Sequence, residues 1–283
     1  MYLSDSDGLQ AARAQLVSYS ARLLDDGLAV GSAGNISVRL GDLVAITPSG
    51  ISYAEMRPED VCVVATDGTE PDGAEPDGAE PDGAEPDGTE PDGMRNTETP
   101  SSETPMHLAI YAATKAGAVV HTHSPEVIAL SAVFGKLPAI HYAIHALGGT
   151  VRVAPYTRFG SEGLAQAAVL ALDGRRAAIL ANHGAICYGK TLAQAYDNAM
   201  LLEWLARTYR LARMLGEPTI LTDEQLEEVG AEARRRRYGR EQAEAQAAAV
   251  ASAPDESGGA GRASDADVAG GAGGSAPDHG AAG

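Results

Sequence analysis

The sequence predicts an α/β fold with antiparallel or mixed strand pairing. Three observations carry that expectation. Short apolar runs alternate along the chain with stretches whose apolar residues recur every three to four positions. Some neighbouring apolar runs are joined by only two or three turn residues, too few for a crossover helix, which favours hairpins over a purely parallel order. The net charge of −18 over 283 residues is concentrated in two segments, and what remains is near neutral and long enough for one sizeable core.

Taken in order, residues 8–26 place Leu9, Ala12, Leu16, Tyr19 and Leu23 at helical spacing, and Gly27 ends the pattern. Residues 36–40 and 43–47 read as a hairpin about Gly41-Asp42. Residues 61–65 form a short apolar run of the kind a buried strand shows. A helix over 104–115, a strand over 118–123 and a helix over 125–134 follow. Then come a strand over 151–155, a helix over 162–172, and strands over 177–181 and 185–188 about Asn182-His183-Gly184. A long helix over 192–215 and a last one over 223–236, after a Thr222 cap, complete the pattern.

Residues 69–93 are five tandem pentapeptides: TEPDG, AEPDG, AEPDG, AEPDG and TEPDG. Proline and glycine every five residues break helix and strand alike, two acids per repeat repel, and nothing larger than alanine is offered for burial. Residues 67–98, with a net charge of −11, therefore read as an acidic insert in one domain spanning 1–240. Residues 241–283, with a net charge of −6, read as a disordered acidic tail rich in alanine and glycine.

Composition excludes several classes. No run of 18 apolar residues is present, so no membrane-spanning helix is expected. Met1-Tyr2-Leu3-Ser4-Asp5 has neither the basic nor the apolar region of a secretory signal, and Cys62 and Cys187 stand far apart. A cytoplasmic protein without disulfides is the expectation. The one basic run, residues 234–237, is short, and nucleic acid is not an expected partner of so acidic a chain.

The chemistry begins at His121-Thr122-His123, which ends the apolar run 118–120. On a strand, side chains i and i+2 point the same way. The two imidazoles are either a chelate for a first-row divalent metal or a pair of exposed strand-end histidines. His183, at the tip of another apolar run, is either a third ligand or a capping histidine. Glu103 follows Ser101-Ser102 at a helix start with Pro105 in the first turn. It is either ordinary capping chemistry or a carboxylate that completes a three-histidine site and shuttles a proton. His107, one turn further, reads as packing or as support for the site, and His141 and His145 read as structural. GSAGNIS at 31–37, TPSG at 47–50 and Ser101-Ser102 suit an anion, although each alone is also ordinary turn chemistry. No Walker motif or GxGxxG is present.

Seven segments taken together resemble the class II aldolase/adducin family. They are GSAGNISVRL at 31–40, ITPSGI at 46–51, PSSETPMH at 100–107, AVVHTHSPE at 118–126, PAIHYAIHALGG at 138–149, VAPYTRFGS at 153–161 and ILANHGAI at 179–186. The resemblance covers residues 8–66 and 95–240. It implies a three-layer fold, with a central, largely antiparallel sheet flanked by helices, assembled as a homotetramer with sites between subunits. It implies one Zn2+ per subunit on His121, His123 and His183, with Glu103 ligating the resting metal and then acting as acid and base. It implies a phosphate pocket at Asn35, Ser49, Gly50, Ser101 and Ser102, with Phe159 lining the site. Tyr142, supplied by a neighbouring subunit, matches the tyrosine that protonates the aldehyde oxygen, and Tyr238 matches a second tyrosine.

The activity so implied is reversible cleavage of a ketose 1-phosphate, L-fuculose 1-phosphate or a related deoxy-sugar phosphate, to dihydroxyacetone phosphate and an aldehyde such as lactaldehyde. Cleavage leaves negative charge on the three-carbon fragment, and a divalent cation on three neutral imidazoles suits that charge. The same fold serves L-ribulose-5-phosphate 4-epimerase and methylthioribulose-1-phosphate dehydratase. Glutamate rather than aspartate at Glu103, with an apolar segment at 140–144, favours the aldolase. A non-catalytic adducin-like domain is expected to lack the metal histidines that this chain keeps.

Because loop closure costs grow slowly with length, a variant lacking residues 69–93 is expected to keep the melting temperature and the circular dichroism of the full chain. A collapse in melting temperature would show that the repeats belong to the core.

Overall fold

The computed structural model describes residues 5–68 and 98–236. The pentapeptide repeats, Tyr238 and the tail from 241 lie outside the described residues. The residues up to Ala233 make one compact unit, and of a second unit beginning at Arg234 only 234–236, which are helical, are described.

Among the described residues, eight strands form one sheet. In chain order they are β1 (Asn35–Leu40), β2 (Leu43–Ile46), β3 (Cys62–Ala65), β4 (Ala118–Thr122), β5 (Lys136–Leu137), β6 (Val151–Ala154), β7 (Ala177–Leu180) and β8 (Gly184–Gly189). Their spatial order is β3-β2-β1-β4-β8-β7-β6-β5. Every adjacent pair is antiparallel except β6 and β7. The exception follows from the connection: a helix separates these two strands, and a parallel return needs such a crossover.

Helices cover both faces. On one side lie α1 (Asp5–Asp25), α3 (Pro125–Ser131) and α5 (Leu192–Leu215), which bury Leu16, Leu23, Val127, Leu202 and Leu205. On the other lie α2 (Thr104–Ala113) and α4 (Glu162–Ala171), which bury Met106, Ile110, Leu164 and Ala168. The two-residue strand period divides β4 between the cores: Ala118 and Val120 face the first, Val119 the second. A strand buried on both faces needs a continuous apolar run, which is why residues 118–120 carry no charge.

The expected α/β architecture with a largely antiparallel, helix-flanked sheet is present. Differences sit at element ends. β4 stops at Thr122 because the His123 N–H leaves the ladder for the Leu28 carbonyl. α2 stops at Ala113, where both the N–H and the hydroxyl of Thr114 turn back onto the Ile110 carbonyl. β5 and the short 3-10 helices Pro58–Asp60 and Tyr142–Leu147 are not in the sequence reading; none is long enough to show a period of its own.

The topology sets the site. Asn35, at the start of β1, pairs with His121 on β4, and β8 begins just after His183 on the other side of β4. Two glycines permit this approach. A Cβ on Gly34 (φ +81) would meet the His121 carbonyl oxygen at 2.7 Å, and one on Gly184 would meet that of Thr122 at 2.0 Å.

Candidate metal centre

Glu103, His121, His123 and His183 converge, with one ligand atom from each lying within 4.8 Å of the others. β4 delivers His121 and, one residue past its end, His123; the turn between β7 and β8 delivers His183; the first residue before α2 delivers Glu103. The three imidazole centroids are 4.8–4.9 Å apart and mutually edge-on, so the rings splay around a common centre.

The donor set fits a divalent cation. The Ala185 carbonyl accepts from Nδ1 of His121 at 2.8 Å, which turns Nε2 toward the cluster. That Nε2 lies 2.9 Å from both His123 Nε2 and Glu103 Oε2. One proton there serves one of these contacts, not both, whereas a cation serves all. Glu103 Oε1 is buried with no hydrogen-bond partner, and His183 Nε2 stands 3.4 Å from it. Ligand atoms about 2.1 Å from a tetrahedral ion lie roughly 3.4 Å apart, close to these separations. Three nitrogens and one oxygen suit Zn2+, and imidazole accepts Co2+ and Mn2+ as well.

The electrostatics favour neutral rings at His123 and His183 beside an ionised carboxylate. Burial opposes ionisation of Glu103, yet His121, the Asn35 amide and His183 together hold its carboxyl well below the usual carboxylate range. Burial, helped by the neighbouring histidines, lowers His123 from 6.5 to about 3, and burial lowers His183 as well. Neutral imidazole is the form that binds metal.

The cluster opens into a cavity of about 450 Å³, within the range of small-ligand sites. Ser49, Gly50, Ser101 and Ser102 form part of its wall beside Asn35, Glu103, His123 and His183. Backbone bonds stitch those turns together: Ser49 N–H to Thr99 O at 2.8 Å and Ser101 N–H to Thr47 O at 3.2 Å, with a bridge between Pro48 and Pro100. His121 lies behind the wall, fully buried. Phe159 also lines the cavity, 60 % exposed.

Tyr142 does not reach this cavity in its own chain; it opens the 3-10 helix Tyr142–Leu147 and is 58 % exposed. His141 caps that helix, accepting the Ala143 N–H. The Asn35 amide is engaged at both ends, donating to Glu103 Oε2 at 2.9 Å and meeting His107 Nε2 at 2.6 Å.

The sequence reading gave no site role to Tyr156, Thr157 or Asn182 in the wall, whereas Ser32 lies in the turn read as suited to an anion. Asn182 carried a signal: it adopts a left-handed conformation at φ +54, which asparagine tolerates better than most residues. A larger hollow of about 760 Å³, near Lys115, Asp173 and Lys190, holds no converging ligand set and lies away from the cluster.

Comparison with known proteins agrees with this geometry. The family described as Class II Aldolase and Adducin N-terminal domain matches residues 14–210. The 5-deoxy-D-ribulose 1-phosphate aldolase of Bacillus thuringiensis serovar kurstaki is 36% identical over 222 residues, covering 77% of this chain and 93% of that protein. The 5-methylthioribulose-1-phosphate/5-deoxyribulose-1-phosphate aldolase of Rhodospirillum rubrum is 35% identical over 221 residues, covering 77% and 89%. Among solved structures, an L-fuculose 1-phosphate aldolase superposes with a TM-score of 0.69 at 32% identity, covering 83% of this chain and 98% of that one.

Burial also couples the site to pH. His107 and His123 are each lowered from 6.5 to about 3. Between those values the unfolded chain binds protons that the folded chain refuses, so stability falls as pH falls through that window. The melting temperature of metal-free protein is expected to decline steadily below about pH 6.5. A flat profile down to about pH 4 would show that these rings are not held neutral.

Proposed function

The chain belongs to the class II aldolase and adducin N-terminal domain family, and from that premise we propose that it is a metal-dependent aldolase acting reversibly on a ketose 1-phosphate. The observation that carries this reading is the convergence of three imidazoles and one buried carboxylate on a cavity walled by small hydroxyl residues. An adducin-like scaffold has no use for such a cluster.

The substrates named by the three relatives share a phosphate at C1, a ketone at C2 and an end without a terminal hydroxyl. The exposed rings of Tyr156 and Phe159 give that end an apolar wall. We therefore assign a deoxy-ketose 1-phosphate, cleaved between C3 and C4 to dihydroxyacetone phosphate and a short aldehyde. The aldehyde is acetaldehyde from a 5-deoxypentulose phosphate and lactaldehyde from L-fuculose 1-phosphate.

His121, His123 and His183, with Glu103 in the resting state, would hold a divalent cation, and Zn2+ is our assignment. When bound, the cation would supply Lewis-acid stabilisation of charge on substrate oxygens. Asn35, Ser49, Gly50, Ser101 and Ser102 anchor the phosphate, so binding energy at the unreacting end fixes the reacting carbons. In cleavage the C3–C4 bond breaks, the C4 hydroxyl gives up its proton and C3 gains one. Glu103 delivers the C3 proton and, in the reverse direction, removes it. The partner subunit's Tyr142 exchanges the proton on the C4 oxygen.

The last role needs a neighbour, which suits a homotetramer. Met200, Trp204, Leu211 and Leu215 leave an exposed apolar stripe along α5, and His141 packs between Tyr142 and Trp204. No helix among the described residues is long and apolar enough to cross a membrane, and both cysteines are free. A cytoplasmic location is our assignment, since two unpaired thiols suit a reducing compartment.

Purified, metal-analysed protein is expected to form dihydroxyacetone phosphate from 5-deoxyribulose 1-phosphate or L-fuculose 1-phosphate, measured by reduction with NADH, and to lose activity to a chelator. Glu103→Gln should keep metal and lose about 10²–10⁴-fold in turnover. His121→Ala should lose metal and activity together. No product from metal-loaded protein on either sugar would overturn the aldolase and favour an epimerase or dehydratase.

Light scattering should give four times the 29.0 kDa chain mass. Tyr142→Phe should lower kcat without changing that mass. A monomer with full activity would remove the shared-site arrangement.

A further inference from the structure

We infer that His107 is a positioning residue for Glu103: fixed with its proton on Nε2, it holds the Asn35 amide so that the N–H end faces the carboxylate. The catalytic consequence rests on Glu103 being the proton carrier proposed above; the direction of the hydrogen bonds does not.

The arrangement is two facing stripes. Glu103, His107 and Tyr111 follow one another four residues apart along the α2 segment, hence on one helical face. Asn35 and Ser37 lie two apart on β1, hence on one strand face. Ser37 Oγ meets Tyr111 OH at 2.8 Å and His107 Nδ1 at 2.7 Å; His107 Nε2 meets Asn35 Oδ1 at 2.6 Å; Asn35 Nδ2 meets Glu103 Oε2 at 2.9 Å. Ser37 and His107 are wholly buried and Tyr111 is 2 % exposed, so water cannot substitute for the links among these three, while Asn35 and Glu103 border the cavity.

Each link fixes the next. An ionised carboxylate only accepts, so the amide end facing Glu103 is the N–H end. Asn35 Oδ1 is then an acceptor, so His107 Nε2 carries a proton. The neutral ring therefore accepts at Nδ1, from the Ser37 hydroxyl. Ser37 Oγ, having given its proton, accepts from Tyr111. Burial lowers His107 to about 3, in keeping with a ring that holds one proton. The opposite tautomer would turn the Asn35 oxygen onto the Glu103 oxygen and leave two buried acceptors face to face. His107 thus acts on Glu103 through Asn35, in the way that hydrogen bonds behind a ligand set its orientation.

The test uses full-length, metal-loaded protein. In a ¹⁵N-histidine spectrum, the signals lost in His107→Met should report a neutral ring protonated at Nε2. His107→Met should lower kcat by about tenfold or more, with KM within about twofold and metal content unchanged. His107→Gln, which returns an N–H near the Nε2 position, should recover most of the loss. In an Asn35→Ala background, His107→Met should cost nothing further. Should His107→Met not fold, Ser37→Ala, which removes only the hydroxyl that donates to Nδ1, should leave the ring protonated at Nε2, because Asn35 still accepts there; a ring that moved its proton to Nδ1 in that variant would overturn the inference.

A ring protonated at Nδ1 would overturn the inference, as would undiminished kcat or losses at His107 and Asn35 that simply add. Absence of aldolase activity in the unmodified protein would instead count against the aldolase reading, and the spectrum would still decide the relay.

Discussion

Glu103 is a carboxylate only 5 % exposed, and the rest of the site is arranged around that burial. An unpaired charge so far from water would shed its ionisation. Here it is faced by His121, His183 and the Asn35 amide on separate segments of chain. Those groups can meet only because β1, β4 and β8 are consecutive in the sheet. The order of strands is therefore not incidental to the chemistry. It places a β1 side chain, two histidines at the end of β4 and a third before β8 around one helix start.

The same packing separates what is rigid from what can vary. His121 is clamped at both ring nitrogens, with no room around it: Gly184 lies within 3.4 Å of its ring from the position a Cβ would take. The turns at 47–50 and 99–102 are tied to each other by backbone bonds, with the Thr47, Ser101 and Thr104 hydroxyls adding side-chain bonds. Tyr156 and Phe159, by contrast, line the cavity while standing largely exposed. A rigid His/Glu cluster thus lies beside more exposed aromatic residues in one cavity.

Much of the fold was legible because its signals are local. The 3–4 spacing of Leu9, Ala12, Leu16 and Leu23 marks α1, and Leu192–Leu215 is bounded as its pattern suggests. Gly41-Asp42 marks the β1–β2 hairpin, whose register closes at Leu40 and Leu43. β5 was not legible, since a two-residue strand has no period. At the site, His121 and His123 declare themselves by their i, i+2 spacing. Nothing local joins them to Glu103 or His183; only the order of motifs shared with a family did. Ser37 was read with the anion-suited turn, but pairing on β1 turns it into the interior toward His107. The four-residue spacing of Glu103, His107 and Tyr111 was visible, yet its meaning depends on a strand some seventy residues away.

The stitches between 47–49 and 99–101 have one further consequence. They stand between Glu103 and the point where the long acidic segment rejoins the described chain. On the other flank, the Thr66 N–H is tied to the Asp42 carbonyl. Both ends of that segment are thus moored to the sheet before they reach anything reactive. On the described side of each mooring, the turn that carries Glu103 is therefore held by its own backbone bonds rather than by the chain that arrives there.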